Sequence, residues 1–240
     1  MKSMMQKTTM REIRQSLGRY LAIFAIVALG VGFFAGLKIT KTAMVESAND
    51  YLQEHQLYDY RLLSTLSFEE EDVQALGQKE NVRAVEGAVE ADILYVNEEG
   101  NEGGLKVHSL LEHINGLEIL AGRMPETATE CVVDANRYSE ASLGSKITLS
   151  ENNEQEDLDN FAFREYTIVG IAQASAYIQF ERGNTSLGNG RVDGFMYLRP
   201  EGFQTEYYTE IYVKFDRDER IYSEEYDTYM SERETLWEQY

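Results

Sequence analysis

The sequence is poor in the residues from which many functional sites are built. It has one cysteine, Cys131, so an intrachain disulfide is excluded. Because Cys131 lies in a predicted strand and is flanked by acidic residues, we expect a buried, inert thiol. Three histidines are present; His108 and His113 have no cysteine partner and no clear helical register, which argues against a zinc site.

Basic residues are scarce relative to acidic ones. The 240 residues include 22 Lys and Arg against 42 Asp and Glu, a formal net charge of −20. Residues 1–20 hold five basic residues against Glu12, which gives +4 and leaves −24 for the remainder. Such an acidic surface repels phosphate backbones, which argues against nucleic acid as a partner, and none is predicted. Cationic, neutral or protein partners are expected.

Catalytic motifs are also missing. The glycine-rich segment 183–190 (GNTSLGNG) is neither a G-x-S-x-G elbow nor a phosphate-binding loop, and is expected to be a loop between strands. The acidic segment 151–160 (ENNEQEDLDN) lacks the spacing of a calcium loop, and is expected to be a solvated hairpin loop. The sequence therefore predicts no catalytic residue, no cofactor, no metal site and no enzymatic activity.

One hydrophobic run is long enough to cross a membrane. Residues 21–37 carry no polar side chain, and Tyr20 and Lys38 extend the usable span to residues 20–39. Twenty helical residues cover about 30 Å, the thickness of the hydrocarbon core. Arg19, Tyr20, Lys38 and Lys41 are the predicted interface residues.

The orientation of the span follows from its flanks. Five basic residues precede it and two follow closely, which predicts residues 1–19 in the cytoplasm, as a basic amphipathic lead-in, and residues 42–240 outside the cell membrane. A cleaved signal peptide is the main alternative, but the run is long for one and no good small-x-small cleavage site follows. A buried core helix would leave the basic flank unexplained.

Small residues form one stripe of this helix. Ala28, Gly32 and Gly36 recur every four residues, and the last two form a GxxxG pattern. Such a stripe lets a second helix approach closely, so it is the predicted packing face. The alternative is that glycine is simply common in membrane helices.

The outer part of the chain reads as α+β. We predict helix from Thr42 to Gln56, a strand at 57–66, a helix opened by a capping box at Ser67 and closed by Gly77, and a long strand at 82–96 bent near Gly87. A loop at 97–104 leads to a strand at 105–108. Further strands are predicted at 130–133, 146–149, 166–172, 194–198 and 210–215. The aromatic residues of 195–212 are interpreted as core and edge packing, with a pocket for an apolar ligand as the alternative.

The last residues have helical spacing. Tyr222, Tyr226, Tyr229, Leu236 and Tyr240 follow a heptad pattern if Arg233 is included, so residues 216–240 are predicted to begin a coiled-coil-like helix. We expect this stripe to stay exposed unless a returning helix covers it, and we expect Tyr240 to be an interruption and not a natural end.

The order of these elements resembles a known family. The segments are residues 11–17 (REIRQSL), 120–125 (LAGRMP), 130–133 (ECVV), 143–147 (LGSKI) and 166–171 (YTIVGI). In this order after a first membrane helix they resemble the extracytoplasmic core domain of FtsX-like, MacB-type permeases of ABC transporters. The resemblance covers most of residues 10–215, so residues 40–215 are expected to form the core domain.

The resemblance implies a non-catalytic role. Such permeases have several membrane helices and this chain shows one, so it looks like the N-terminal part of a permease. The implied partners are the remaining permease helices, membrane lipid and a separate ABC ATPase subunit. The outer domain would relay motion or contact substrate. The alternatives are a single-pass binding or sensing module and a membrane-tethered enzyme; substrate, transport direction and the identity of the ATPase stay open.

Overall fold

The structure is a computed structural model that describes the backbone of residues 2–237 and the side chains of residues 16–234 and 237. The chain divides into two compact units, Met1–Asp50 and Tyr51–Tyr240. The helices are α1 (Lys2–Glu54), α2 (Glu70–Gly77), α3 (Gln155–Asp159) and α4 (Glu224–Trp237). The strands are β1 (Tyr60–Phe68), β2 (Val82–Ala88), β3 (Glu90–Val96), β4 (Glu102–Ser109), β5 (Leu117–Gly122), β6 (Glu130–Asp134), β7 (Lys146–Leu149), β8 (Glu165–Ala174), β9 (Gly194–Leu198) and β10 (Tyr208–Phe215).

The first unit is helical throughout its described residues. Helix α1 is uninterrupted from Lys2 and continues four residues into the second unit. Within the described residues, its part Ser16–Glu54 is the one helix long and apolar enough to cross a membrane. No break follows residue 19, so residues 2–19 of the expected lead-in and the span belong to one continuous helix.

The second unit contains two sheets. The smaller one has the order β1–β10–β2, and both neighbouring pairs are antiparallel. Side chains alternate along β10, so Ile211, Val213 and Phe215 point to one face. Helices α2 and α4 cover that face, with Val73 and Leu76 from α2 and Tyr229, Met230 and Trp237 from α4.

Several boundaries differ from the sequence prediction. Strand β1 lies at Tyr60–Phe68 instead of residues 57–66, and β4 begins at Glu102, inside the loop predicted at 97–104. The larger differences are at α2 and at the predicted strand 82–96. Helix α2 begins after Glu69, whose backbone N–H donates to the Asp72 carboxylate at 2.8 Å, and Ser67 has a left-handed φ of 66° that excludes it from the helix. The predicted long strand 82–96 is two strands, β2 and β3, which lie in different sheets. The break falls at Val89, two residues after the expected bend at Gly87.

The larger sheet closes on itself. Its order is β5–β8–β6–β9–β4–β3–β7, and β7 pairs again with β8. Strands β8, β6, β9, β4, β3 and β7 therefore form a six-stranded barrel among the described residues, with β5 added to one edge of β8. The barrel interior is apolar, and its fully buried side chains include Ile93, Leu105, Val107, Cys131, Val133, Ile147, Tyr166, Ile168, Met196 and Leu198.

The family-like motifs meet where β5 joins β8. Gly122 and Gly170 are paired across the two strands. A Cβ on Gly122 would lie against the Val169 carbonyl oxygen, and one on Gly170 against the Arg123 carbonyl oxygen. The backbones approach so closely that only glycine fits at both positions. This contact explains why glycines stand in the LAGRMP and YTIVGI segments.

Most of the remaining predictions are confirmed. Strands β6, β7, β8, β9 and β10 lie where they were expected to within two residues, and the α+β class is confirmed. Strand β5 was missed. The aromatic residues of 195–212 do not form one pocket, because Phe195, Tyr197, Phe203 and Tyr212 are buried in three separate core clusters.

The final helix differs from the expected heptad seam. Tyr222 precedes α4 and has a φ of 69°. The Tyr229 ring packs against the Phe215 ring of β10, with ring centroids 6.0 Å apart. Tyr229 was expected to stay exposed unless a returning helix covered it, but the three-stranded sheet covers it instead. Leu236 and Tyr240 lie outside the residues whose side chains are described. A coiled coil is not confirmed.

We predict that Gly122→Ala destabilises the outer domain more than Gly144→Ala. Both glycines have left-handed φ values, 78° and 84°, so alanine is strained at each by about 1 kcal/mol. A Cβ on Gly144 meets open space, whereas one on Gly122 meets backbone. The total loss at Gly122 should therefore be about 3 kcal/mol, measured as the free energy of unfolding in denaturant. Equal losses would contradict the close approach of β5 and β8.

Candidate coupling site between the two sheets

Charged side chains cluster around the three-stranded sheet in two places. One is its junction with the segments next to α1 and α4, and the other is its junction with the barrel. Along β10, Glu210, Tyr212 and Lys214 alternate with the apolar residues that face α2 and α4. They therefore point to the opposite face of the sheet. Two groups of contacts form on that face, one around Asp59 and one around Glu90.

Asp59 ties the start of the outer domain to its last strand. Its side chain is fully buried, and its Oδ2 accepts a hydrogen bond from the Phe215 backbone N–H at 3.0 Å. Its Oδ1 accepts from Arg217 Nε at 2.9 Å. Lys214 adds a third contact, because its Nζ lies 3.4 Å from Asp59 Oδ2 and donates to the Leu57 carbonyl oxygen at 2.6 Å.

Burial lowers the pKa of Lys214, although Asp59 opposes that shift. The Arg217 guanidinium also lies over the ring of Tyr226 in the first turn of α4, 4.3 Å from the ring centroid. We call Asp59, Lys214 and Arg217 the Asp59 clamp. It joins the segment that follows α1 to the segment that precedes α4.

Glu90 links the two sheets. On the side of the three-stranded sheet, Arg61 of β1 binds Glu210 of β10 through two hydrogen bonds, one of them 3.0 Å long. Arg61 also reaches Glu90 of β3 at 3.2 Å. On the barrel side, Lys106 of β4 binds the other Glu90 oxygen at 2.7 Å. We call Arg61, Glu90, Lys106 and Glu210 the Glu90 bridge.

The bridge has backbone support. The Glu90 backbone N–H donates to the Thr209 hydroxyl of β10 at 2.7 Å. Val89, at the break between β2 and β3, donates its N–H to the Ser109 hydroxyl and accepts the Ser109 N–H at 2.9 Å. The joint between the sheets is thus held by both main-chain and side-chain contacts.

His108 lies beside the bridge but is uncharged. Its Nδ1 is 3.4 Å from Glu90, its Nε2 is 2.5 Å from the Tyr177 hydroxyl, and its ring stacks on Tyr197. Burial lowers the pKa of His108 to about 3. Lys106 and Arg61, which already neutralise Glu90, add to this lowering. The imidazole therefore acts as a neutral hydrogen-bonding group at neutral pH.

Two further ion pairs hold the barrel. Arg182 donates two hydrogen bonds to the buried Asp134 carboxylate, and the one from Nη2 to Oδ1 is 2.9 Å long. Its guanidinium carbon lies 5.5 Å from the centroid of the Phe195 ring. This contact fixes the loop that follows β8. Arg123, from the LAGRMP segment, binds Glu130 of β6 at 2.6 Å and 2.8 Å, which lowers the pKa of Glu130 to about 2.

The residues predicted as site residues lie elsewhere, on α1. Ala28, Gly32 and Gly36 are exposed, and a Cβ at either glycine would meet nothing within 4 Å. The predicted interface residues Arg19, Tyr20, Lys38 and Lys41 are also exposed, and Lys38 lies 5.9 Å from the Phe34 ring. The described structure contains no second helix against this stripe, so its role stays a prediction.

Of the glycine-rich and the acidic segments predicted to be loops, 183–190 is a loop and 151–160 is partly helical. Segment 183–190 is a loop with left-handed φ values at Gly183, Gly188 and Gly190, as expected. Segment 151–160 is not simply a solvated loop, because it contains α3 and a buried Asn153 whose amide binds Leu94 N–H and C=O at 2.7 and 2.8 Å. Among the residues described, no group of three or more His, Cys, Asp or Glu is placed to hold a metal ion.

Comparison with known proteins decides the family. The family model described as MacB-like periplasmic core domain matches residues 17–222, most of the chain. The chain belongs to this family. It is a MacB/FtsX-like permease extracytoplasmic domain that follows an apolar, membrane-anchoring helix.

Two solved structures have a limited similarity to this chain. The extracellular domain of the noncanonic ABC-type transporter YknZ from Gram-positive bacteria is 13% identical, with a TM-score of 0.42 over 70% of this chain and 80% of that one. The periplasmic region of MacB from Actinobacillus actinomycetemcomitans is 11% identical, with a TM-score of 0.40 over 73% and 75%. No curated protein matches. The family assignment depends on the sequence match alone.

The Asp59 clamp and the Glu90 bridge were missed from the sequence. A signal was present, because Asp59, Arg61, Glu90 and Lys214 are charged residues inside apolar strand patterns. Such residues are rarely buried unless they are paired. The pairing itself could not be found, because Arg61 and Glu210 are separated by most of the domain.

We predict that His108 makes stability fall in mild acid. Unfolded His108 takes up a proton below its ordinary pKa of about 6.5, whereas the folded residue stays neutral down to about pH 3. Stability is therefore lost as the pH falls through 6.5, by about 2 kcal/mol at pH 5. In His108→Gln, the drop in unfolding free energy between pH 7.5 and pH 5 should be smaller by that amount.

His113→Gln is the matched control, because the His113 side chain is 70% exposed. The drop in unfolding free energy between pH 7.5 and pH 5 should remain larger in His113→Gln than in His108→Gln. A pH dependence that is the same in His108→Gln and in the wild type would show that buried His108 accepts a proton readily.

Proposed function

We propose that this chain is the N-terminal part of an ABC transporter permease subunit whose outer domain relays motion. In this proposal residues 20–39 cross the membrane, residues 1–19 lie in the cytoplasm and residues 40–215 form the extracytoplasmic core domain. The remaining permease helices and a separate ABC ATPase subunit are the partners, and membrane lipid surrounds α1. The role is not catalytic.

The observation that carries the relay is the position of the Glu90 carboxylate. One of its oxygens binds Arg61 of the three-stranded sheet, and the other binds Lys106 of the barrel. The Asp59 clamp ties the same three-stranded sheet to the segment after α1. A displacement at the end of α1 would therefore pass first to β10 and then, through Glu90, to the barrel.

Charge pairs suit such a role better than apolar packing. A buried ion pair contributes little net stability, because desolvation offsets the attraction between the charges. It does penalise any arrangement that separates the partners, since a buried unpaired charge costs several kcal/mol. The two sheets would therefore move together or exchange partners in a discrete step, as coupling between distant sites requires.

The relay predicts that Glu90→Gln uncouples the sheets. The assembled transporter would carry one spin label on α2, at Glu71→Cys, and one on the barrel, at Glu156→Cys, both at exposed positions. Trapping the ATPase in its ATP-bound state should change the distance between the labels. In Glu90→Gln the distance distribution should be broader and should no longer follow the nucleotide state.

Glu165→Gln is the control, because Glu165 forms an ion pair of similar length, 2.6 Å to Lys146, on the barrel surface. It should respond as the wild type does. A nucleotide-dependent distance change that persists in Glu90→Gln would rule out the bridge as the link.

The proposed topology can be tested with introduced thiols. Native Cys131 is buried and burial raises its pKa, so it should not react. In intact cells a membrane-impermeant maleimide should label Glu156→Cys on exposed α3 and spare Thr8→Cys. Asn153 is unsuitable for this purpose because it is buried. Labelling at residue 8 with protection at residue 156 would reverse the orientation.

We also propose that Ala28, Gly32 and Gly36 pack against another permease helix. Gly32→Leu should then weaken association of the span with a partner helix in a membrane two-helix reporter, because it blocks close approach. Gly30→Leu adds the same volume on nearly the opposite side of the helix and should have little effect. Equal signals from both variants would place the stripe against lipid.

A further inference from the structure

The segment that connects β4 to β5 lies against the end of α1. We call residues 110–116 the β4–β5 loop, since they contain no helix or strand. The Gly116 backbone N–H donates to the His55 carbonyl oxygen at 2.8 Å. A Cβ at Gly116 would lie 3.2 Å from that same oxygen, which is tighter than most Cβ contacts. A larger side chain at this position would therefore press on the end of the helix.

Asn115 adds two hydrogen bonds on the other side of the same turn. Its backbone N–H donates to the Gln56 carbonyl oxygen at 3.1 Å. Its side-chain oxygen accepts from the Tyr58 backbone N–H, also at 3.1 Å. Asn115 is buried and has a left-handed φ of 56°, a conformation that asparagine tolerates better than most residues. The loop thus both donates to and accepts from the chain that leaves α1.

The end of α1 has a defined geometry of its own. The Gln56 N–H donates to the Gln53 carbonyl oxygen and the Leu57 N–H donates to the Leu52 carbonyl oxygen, at 3.2 and 2.9 Å. With a left-handed φ of 49° at Gln56, these are the two bonds of a Schellman motif. The carbonyl groups of His55 and Gln56, which this motif does not use, are the ones that the β4–β5 loop binds.

The loop is itself fixed to β2. The Glu86 carboxylate accepts the backbone N–H groups of Glu112, His113 and Ile114, at 3.0, 3.1 and 2.9 Å. The Ile114 side chain is buried and packs with Ala88 at the end of β2. The β4–β5 loop is therefore held in one conformation, and it presents its last two N–H groups to α1.

We propose that the β4–β5 loop couples the end of α1 directly to the barrel, with Asn115 and Gly116 as positioning residues. Contiguous hydrogen bonds between rigid elements are a physical means of coupling distant sites. This route is parallel to the one through β10 and Glu90. The barrel follows α1 through the loop, the three-stranded sheet follows it through the Asp59 clamp, and the Glu90 bridge keeps the two sheets in step.

The inference rests on the proposed function only in taking movement of α1 as the signal. The attachment of α1 to the barrel can be measured without an ATPase. The 240-residue chain in lipid nanodiscs would carry spin labels at Glu54→Cys on α1 and Glu156→Cys on α3, both exposed positions. With the native loop, the distribution of distances between the two labels should be narrow.

Substitutions at Asn115 separate the attachment from the conformation of the turn. Asn115→Pro should make the distance distribution about twofold broader, because proline has no N–H and a φ of about −65° that cannot match the left-handed value. Asn115→Gly is the matched control. Glycine keeps the N–H and tolerates the left-handed φ, so this distribution should stay narrow. The Tyr58 amide alone should exchange about 10-fold faster in Asn115→Gly.

A second variant tests the same contact from the loop's other residue. Gly116→Val should also broaden the distribution, because its side chain presses on the His55 carbonyl group. Amide exchange at Val133 and Ile168 reports whether the barrel of each variant is folded. A residue with a structural role alone would lower protection in the barrel without changing the distance between α1 and the barrel.

Glu90→Gln separates the two routes. It should leave the distance distribution between α1 and the barrel as in the wild type, because the β4–β5 loop makes no contact through Glu90. A narrow distribution in both Asn115→Pro and Gly116→Val, with a folded barrel, would overturn the proposal, as would a broad one in the wild type. In the assembled transporter, a narrow distribution together with sheets that ignore the nucleotide state would refute the relay and leave the attachment standing.

Discussion

The buried carboxylate of Asp59 is the interaction on which the outer domain depends. It accepts hydrogen bonds from one backbone N–H and one guanidinium and lies near an ammonium group, and all three come from the segment 214–217. Without Asp59, Lys214 and Arg217 would be left as buried charges without their partner, at a cost of about 3–5 kcal/mol. The start of β1 and the end of β10 are thereby fixed side by side. The three-stranded sheet, the helices on its face and the Glu90 bridge are all built on that junction.

The two sheets use different kinds of interaction. The barrel has a closed ring of strands around an apolar core. Its ion pairs at Arg123 and Lys146 are on the surface, and the pair of Arg182 with Asp134 is buried. The three-stranded sheet packs against α2 and α4 on one face. Its other face combines a small apolar cluster of Ala88, Ile114 and Tyr212 with the charged groups of the Asp59 clamp and the Glu90 bridge. An apolar core resists deformation because its packing is dense. In the proposed relay, the charged junction is the place where the two sheets are coupled.

The sequence predicted local structure well and long-range structure poorly. Strands β6 to β10 were found because Val, Ile, Tyr and Phe dominate them. Strand β5 was missed, although the LAG of its LEILAG segment was noted as part of a family motif. The capping box was misplaced by two residues, since acidic residues at 69–72 offer several equivalent starts. The bend near Gly87 was recognised, but a single sequence cannot show that β2 and β3 belong to different sheets.

The candidate site was less predictable, for a physical reason. Ion pairs such as Arg61 with Glu210 and Asp59 with Arg217 join residues about 150 positions apart. With 42 acidic residues in the chain, no pattern in the sequence selects the correct partner. The stripe of Ala28, Gly32 and Gly36 could be read directly, because helical periodicity alone puts these residues on one side.

The break at Val89 limits how the two sheets can move. Strands β2 and β3 are separated by this single residue, and both its N–H and its C=O are held by Ser109. The sheets therefore cannot slide apart or shear at this point without losing two hydrogen bonds, but they can turn about it. In the proposed relay, motion of one sheet against the other would be reduced to rotation about this point. In such a lever the displacement grows with distance from the pivot, so a small movement at the Glu90 bridge becomes a larger one at the parts of the barrel farthest from Val89.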